Sequence, residues 1–238
     1  MPTLNLLYQK QYSVNDSIQI IIPTVGEIID NEDDYYSLVS ILTAMPIDLM
    51  VQLDDAGIDF TEINEYELFL LMFPGLRVQD THLIFGTLDL KNFEPAVNPQ
   101  NKMVVLRDEK NDITIDRAIH GQIAGVLRKI HHLEKNRRKP ANQDAKEYML
   151  KRARDKMRRN KNRKQDSQLE SLIIAMVNTE QYKYDFERTR ELSIYQFNES
   201  VRQVIKKVDY DNRMYGVYTG TISPKDLSPD DLNWLTHK

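Results

Sequence analysis

Between Arg128 and Lys164 the chain carries sixteen of its thirty-two Lys and Arg residues against four acids, a net charge of +12. The rest of the 238 residues holds 16 bases and 32 acids, a net charge of −16. Charge at this density cannot enter a core, because each unpaired ion would lose its hydration. The block must lie at the surface as a solvated helix or a linker, and the core must be built from what flanks it. Three uses stay open: pairing with the acidic N-terminal half of the same chain, docking an acidic protein, or binding nucleic acid. For the last two, the candidate contacts are Lys151, Arg152, Arg154, Lys156, Arg158 and Arg159, continuing into Lys161, Arg163 and Lys164. Inside the block only Tyr148 offers a ring to stack on bases. A pI near 5.8 speaks against a protein that coats nucleic acid over its whole surface.

The flanks read as mainly helix with minor strand, and not as a barrel. Upstream, Ile18, Ile20, Ile21 and Ile22 form a β-branched run stopped by Pro23, the pattern of a strand or hairpin. Asp30–Asp34 reads as an acidic loop. Tyr35, Leu38, Val39 and Leu42 recur at helical spacing, and Pro46 and Gly57 bracket a second short helix. Asp59 and Glu62 have the spacing of a capping box, opening a helix that Pro74-Gly75 should end. Thr81–Phe93 reads as two short elements, the second starting near Asp89. Met103–Leu106 and Ile113–Ile115 flank a charged turn, so a small hairpin is expected near 103–115.

Asp116 should cap a long helix running to Lys139, where Pro140 disfavours helical geometry in the residue before it. Asn142 restarts a helix to about Arg159. Its apolar stripe, Ala145, Met149, Ala153 and Met157, is thin, and such a helix is marginal alone. Asn160–Asp166 reads as a hinge. Downstream, Ser167 with Glu170 and Ser193 with Gln196 are capping boxes. The second opens the clearest amphipathic stripe of the chain, from Ile194 and Phe197 to Val208. Ser223-Pro224 and Ser228-Pro229 combine a cap with a proline at the first helical position. The chain so divides into an N-terminal helical region with short strands over 1–139, a basic helical linker over 140–166 and a C-terminal helical region over 167–238.

No motif names a chemistry. Cysteine is absent, which removes disulfides, thiolate metal sites and thiol nucleophiles. His120 and His131 share a helix face but lie ~16 Å apart along the axis, too far for one metal. The EF-hand pattern fails around Gly57, and phosphate loops and the G-x-S-x-G elbow are missing. Asp108-Glu109-Lys110 has the carboxylate-x-Lys order of some nucleases but falls on the predicted turn, where a plain charged turn explains it better. No catalytic residue, metal ligand or cofactor is expected. The residues at 1–5 lack a basic n-region and a long apolar run, so no signal peptide is expected, and no apolar run is long enough to span a bilayer. The stripe after Ser193 can be core or partner groove. Because tyrosine favours interfaces, Tyr195, Phe197, Tyr210, Tyr215 and Tyr218 are the candidate apolar partner contacts.

Two stretches carry a family resemblance: Ile58–Phe73 (IDFTEINEYELFLLMF) with Leu83–Phe93 (LIFGTLDLKNF), and Leu192–Gly220 (LSIYQFNESVRQVIKKVDYDNRMYGVYTG). Together, about a quarter of the chain resembles the tail assembly chaperones of long-tailed phages of Gram-positive hosts. The resemblance rests on overall pattern, with no catalytic residues to carry over. It implies a largely helical, non-enzymatic protein of the host cytoplasm. Such a protein would bind the tape measure protein and tail-tube subunits during tail morphogenesis, with self-association open. The long basic middle departs from that pattern and keeps a second reading in play, a nucleic-acid-binding protein using the basic helix 146–164.

Overall fold

The computed structural model describes residues 5–160 and 167–235. Of the expected hinge at 160–166, Asn160 is the last residue of a helix, and 161–166, with Lys161, Arg163 and Lys164, lie outside the described residues. Those described are mainly helical, with two small antiparallel sheets and no barrel. The first sheet is a hairpin of β1 (Gln11–Ser13) and β2 (Gln19–Ile21), with Tyr12 opposite Ile20. The β-branched run supplies β2 and sends Ile18, Ile20 and Ile22 into the core. α1 (Val25–Ile29) opens on a reciprocal capping box of Thr24 and Glu27. Of the acidic run at 30–34, only Asp30 and Asn31 form a turn. Glu32, Asp33 and Asp34 fill the first turn of α2 (Glu32–Thr43), where carboxylates meet the positive end of the helix dipole.

A 3-10 turn at Pro46–Leu49 leads into α3 (Met50–Asp55), and Gly57 turns away at φ +73°. α4 (Glu65–Leu76) starts later than the Asp59–Glu62 spacing suggests. Asn64 is the cap, accepting from the Tyr66 and Glu67 N–H groups while Glu67 reaches back, and Asp59 instead closes a local turn with Thr61. Pro74 sits inside the last turn of α4 rather than ending it. α5 (His82–Phe85) and a 3-10 turn at Leu90–Asn92 follow as the two short elements expected. The second sheet is β3 (Glu94–Val97), β4 (Val104–Asp108) and β5 (Ile113–Ile115), in that order. The expected hairpin is its β4–β5 half. β3 joins as an edge strand, where Pro95 removes no interior ladder bond.

Asp116 caps α6 (Arg117–Ile130) as expected, but the helix stops well short of Lys139. His132 adopts φ +52°; its N–H bonds the Lys129 carbonyl and the Leu133 N–H bonds that of Arg128, the two bonds of a Schellman stop. α7 (Gln143–Asn160) starts at Asn142, whose Oδ1 accepts from the Ala145 N–H. α8 (Gln168–Val177), α9 (Phe186–Glu191) and α10 (Ile194–Tyr218) follow, then 3-10 turns at Pro224–Asp226 and Pro229–Leu232.

One core joins the two sides of the basic block. Leu169, Ile173, Met176, Tyr182, Ile194 and Phe197 share a cluster with Ile20, Tyr35, Phe73, Phe93, Leu106 and Leu127. Backbone bonds tie the same sides: Val25 N–H to the Leu192 carbonyl and Ile194 N–H to that of Pro23. A smaller cluster of Ile47, Leu53, Phe60 and Leu68 seats α7 through Leu150. Among the described residues no helix is long and apolar enough to cross a membrane.

Candidate functional site

α10 organises a broad concave surface. Its 25 residues extend about 38 Å. The first turns are anchored in the core by Ile194 and Phe197, and Val201 and Val204 pack against its edge. Further along, the chain's own C-terminal tail turns back over the helix. Thr221 and Ile222 N–H groups bond the Gly216 carbonyl. Gly216 permits this because a Cβ there would stand 2.6 Å from Ile222 Cδ1. Arg213 pairs with Asp231, and Gln203 Nε2 donates to the Trp234 carbonyl at 3.0 Å. The Lys207 ammonium lies 5.6 Å from the Trp234 ring centre and 5.9 Å from that of Tyr210, cation–π distances.

Between the first half of α10, the end of α6 and this tail runs a groove of about 1420 Å³. Leu7, Tyr8, Leu133, Tyr184, Tyr195 and Trp234 give it apolar and aromatic walls. Tyr8 is 84% exposed, and Leu133 and Tyr184 are also open to solvent. Charge enters through Glu199, which accepts from Arg202 at 2.6 Å and stands 3.6 Å from His132 Nε2. Burial, and then the Glu199 carboxylate beside it, push the Tyr195 hydroxyl up from its ordinary pKa. The surface suits an amphipathic helix with a charged edge, since apolar ridges and both signs of charge are present.

The five candidate apolar contacts separate in space. Tyr195 lines the groove. Tyr215 and Tyr218 are 71% and 81% exposed on the far end of α10. Tyr210 is half-buried near Lys207. Phe197 is corrected: it is fully buried in the core, because the helix turn that places Tyr195 outward rotates Phe197 inward, and no partner reaches it.

The basic candidates also divide. Arg154 is held by Asp54 and Asp55 at 2.8 and 2.5 Å, and Lys146 by Asp59 at 2.5 Å. For these the intramolecular acidic partner is the one observed. The Lys146 hydrogen bond, then Thr61, hold the Asp59 carboxyl down at about 2. Lys151, Arg152, Lys156, Arg158 and Arg159 lie exposed along α7, with Arg158 and Arg159 turned partly onto Asp155. Sequence reasoning missed Arg128 and Lys135, which converge on Glu65, and no local pattern announces a pair so far apart in the chain. Asp108 accepts from the Lys110 N–H and from the Asn111 N–H and side chain, closing the β4–β5 turn, as the plain charged-turn reading requires. Among the described residues, no group of three or more His, Asp or Glu is placed to hold a metal ion.

The family model described as the YomV second domain, of a Bacillus prophage protein family, matches residues 160–238, about a third of the chain. No curated protein and no solved structure matches it. The C-terminal third is therefore similar to a domain of a prophage protein family. The matched stretch holds α8, α9, α10 and the returning tail, and so one wall of the groove.

Proposed function

We propose that the protein is a phage tail assembly chaperone that holds helical segments of the tape measure protein and brings tail-tube subunits to it, without catalysing a reaction. The observation that carries this reading is the open apolar groove along α10, one wall of which comes from the third of the chain that matches the prophage family model. A tape measure is a long helical rod with apolar seams, and a helper for it needs helix-sized apolar surface with adjustable charge rather than a catalytic cleft. The resemblance of Ile58–Phe73, Leu83–Phe93 and Leu192–Gly220 to such chaperones supports the same reading. Co-expression with the tape measure protein tests it. The pair is expected to co-purify, Tyr195→Asp with Leu133→Asp to abolish the association, and 0.5 M salt to leave most of it. Failure of the two proteins to associate would refute the proposal.

The exposed cations of α7 favour one alternative, binding to nucleic acid through 146–164. That reading demands steep salt sensitivity, a log–log slope of about −0.9 per phosphate contacted on duplex DNA.

A further inference from the structure

A second cavity, of about 380 Å³, lies between the 3-10 turn at Pro46–Leu49, α4, the first turn of α6 and the loop after α6. It shares no lining residue with the groove. Three features of it point to one kind of ligand. Its walls are apolar, with Ile47, Phe60 and Tyr66 all buried. Its inner wall holds His120, 2% exposed, whose ring stacks on Phe69 at 4.3 Å and whose Nε2 has no hydrogen-bond partner among the described residues. Burial holds the ring down at about 4, so it is neutral at pH 7, and with its N–H on Nδ1 it presents Nε2 as an acceptor. Such a group calls for an incoming donor.

The third feature is the rim. Arg117, Arg137, Arg138 and Lys139 are exposed there, and none is paired with an acid among the described residues. Among the described residues the one carboxylate lining the cavity, Glu65, is already taken by Arg128 and Lys135. The rim is held in place: Lys135 is anchored on Glu65, and Asn136 Nδ2 donates to Asp48 at 2.9 Å. Four uncompensated cations over an apolar slot suit a multiply charged anion attached to a flat apolar body.

We propose that this cavity binds a small organic phosphate with a planar, hydrogen-bond-donating body, of which a mononucleotide is the natural representative. The base would enter between Phe60 and Tyr66 with an N–H directed at His120 Nε2, and the phosphate would meet the cationic rim. The volume falls in the range of about 300–1,000 Å³ usual for small-molecule sites. The groove and this cavity use different residues, so nucleotide binding and tape measure capture can each fail alone.

Calorimetric titration of the full chain tests the proposal. The probes are the common nucleoside monophosphates, the matching nucleosides, inorganic phosphate and a 5′-phosphorylated oligonucleotide. At least one monophosphate should bind more tightly than about 1 mM and at least tenfold more tightly than its nucleoside or phosphate alone. Arg137→Gln with Arg138→Gln, both on the surface, should weaken it about tenfold or more. His120→Phe should weaken it about tenfold while leaving the melting temperature of the free protein unchanged or raised. Equal binding of phosphate and nucleotide would overturn the proposal, as would binding of the oligonucleotide alone. So would binding that both variants leave unchanged, or no binding at all.

Discussion

Arg128 opens the basic block in sequence, yet the structure uses it as a core strut, and replacing it tests that use. Its Nη2 donates to the Thr43 carbonyl and to Glu65 Oε1, both at 2.5 Å, while Lys135 takes the second oxygen of Glu65. The Arg128 and Glu65 side chains are 11% and 12% exposed. The end of α2, the first turn of α4 and the last turn of α6 meet at this point, and each charge sits at the helix end whose dipole favours it. Burial pushes the Glu65 carboxyl up. The hydrogen bonds and charges of Lys135 and Arg128 outweigh this and hold it below the usual carboxylate range. Arg128→Met keeps most of the stem packing, strands the Thr43 carbonyl and leaves Glu65 with the more exposed Lys135 alone.

Breaking a buried pair from one side costs about 3–5 kcal/mol. Because Lys135 remains, the low end, about 3 kcal/mol, is expected. In a chain of this size that is a fall in Tm of about 6–12 °C. Arg190→Met is the control: its pair with Asp30 is 54% and 60% exposed and should contribute about 0–1 kcal/mol. Urea and thermal unfolding followed by circular dichroism at pH 7 measure both. The pH dependence adds a second check. A carboxyl with a depressed folded pKa stabilises fully above its unfolded pKa and loses that contribution as pH falls through the folded value. The gap between Arg128→Met and the parent should therefore narrow below about pH 4. A loss no larger than that of Arg190→Met, or a gap unchanged at pH 3, would refute the strut.

The remaining expectations concern the tail, the histidines and the corrected contact. Gly216→Val should drive Ile222 off α10 and release the tail, shifting the emission of Trp234, the only tryptophan, to the red while helicity is kept; unchanged emission would contradict the close approach. Burial, and then the neighbouring His132, hold His131 down at about 4 while Tyr35 bonds its Nε2. The unfolded chain thus binds the proton first, so stability should decline as pH drops from 6.5 to about 4. In His131→Gln that decline, read from urea midpoints at pH 7 and 5, should be shallower, and an equal slope counts against it. Phe197→Ala should cost about 3–5 kcal/mol, whereas Tyr215→Ala should stay within about 0.5 kcal/mol; urea unfolding that ranks them the other way would return Phe197 to the surface.

The signals that read correctly were local ones. Asp116, Asn142 and the Ser193–Gln196 box each complete their bonds within three or four residues, so their spacing alone reveals them. The α6 stop was hidden because the left-handed position usually held by glycine is taken by His132. Leu150, the buried anchor of α7, falls one position past the Ala145–Met149–Ala153 stripe, which therefore did not point to it. α10 runs on through Tyr210–Tyr218 because tyrosines and polar residues there lie beside the tail rather than in a core. The groove was illegible for a further reason. Gln196 bonds the Leu7 carbonyl 189 positions away in the chain, and periodicity carries no record of such closure.

The described cations of the basic block divide into separate populations in space. Arg128 and Lys135 are spent on Glu65, and Lys146 and Arg154 on the acids at 54–59. Arg137, Arg138 and Lys139 ring the small cavity, and Lys151, Arg152, Lys156, Arg158 and Arg159 face outward from α7. The consequence falls on α7. Burying Leu150 contributes about 1.5–3 kcal/mol, and the ion pairs flanking it weaken with salt. α8 and α10, by contrast, each place several side chains in the main core. α7 is accordingly the helix whose docking answers most directly to ionic strength, while the C-terminal third keeps its hold on the core through Leu169, Ile173, Ile194 and Phe197. An acidic surface that competes for Lys146 and Arg154 would thus loosen α7 without unfolding the groove beside α10, because the groove and the α7 seat share no residue.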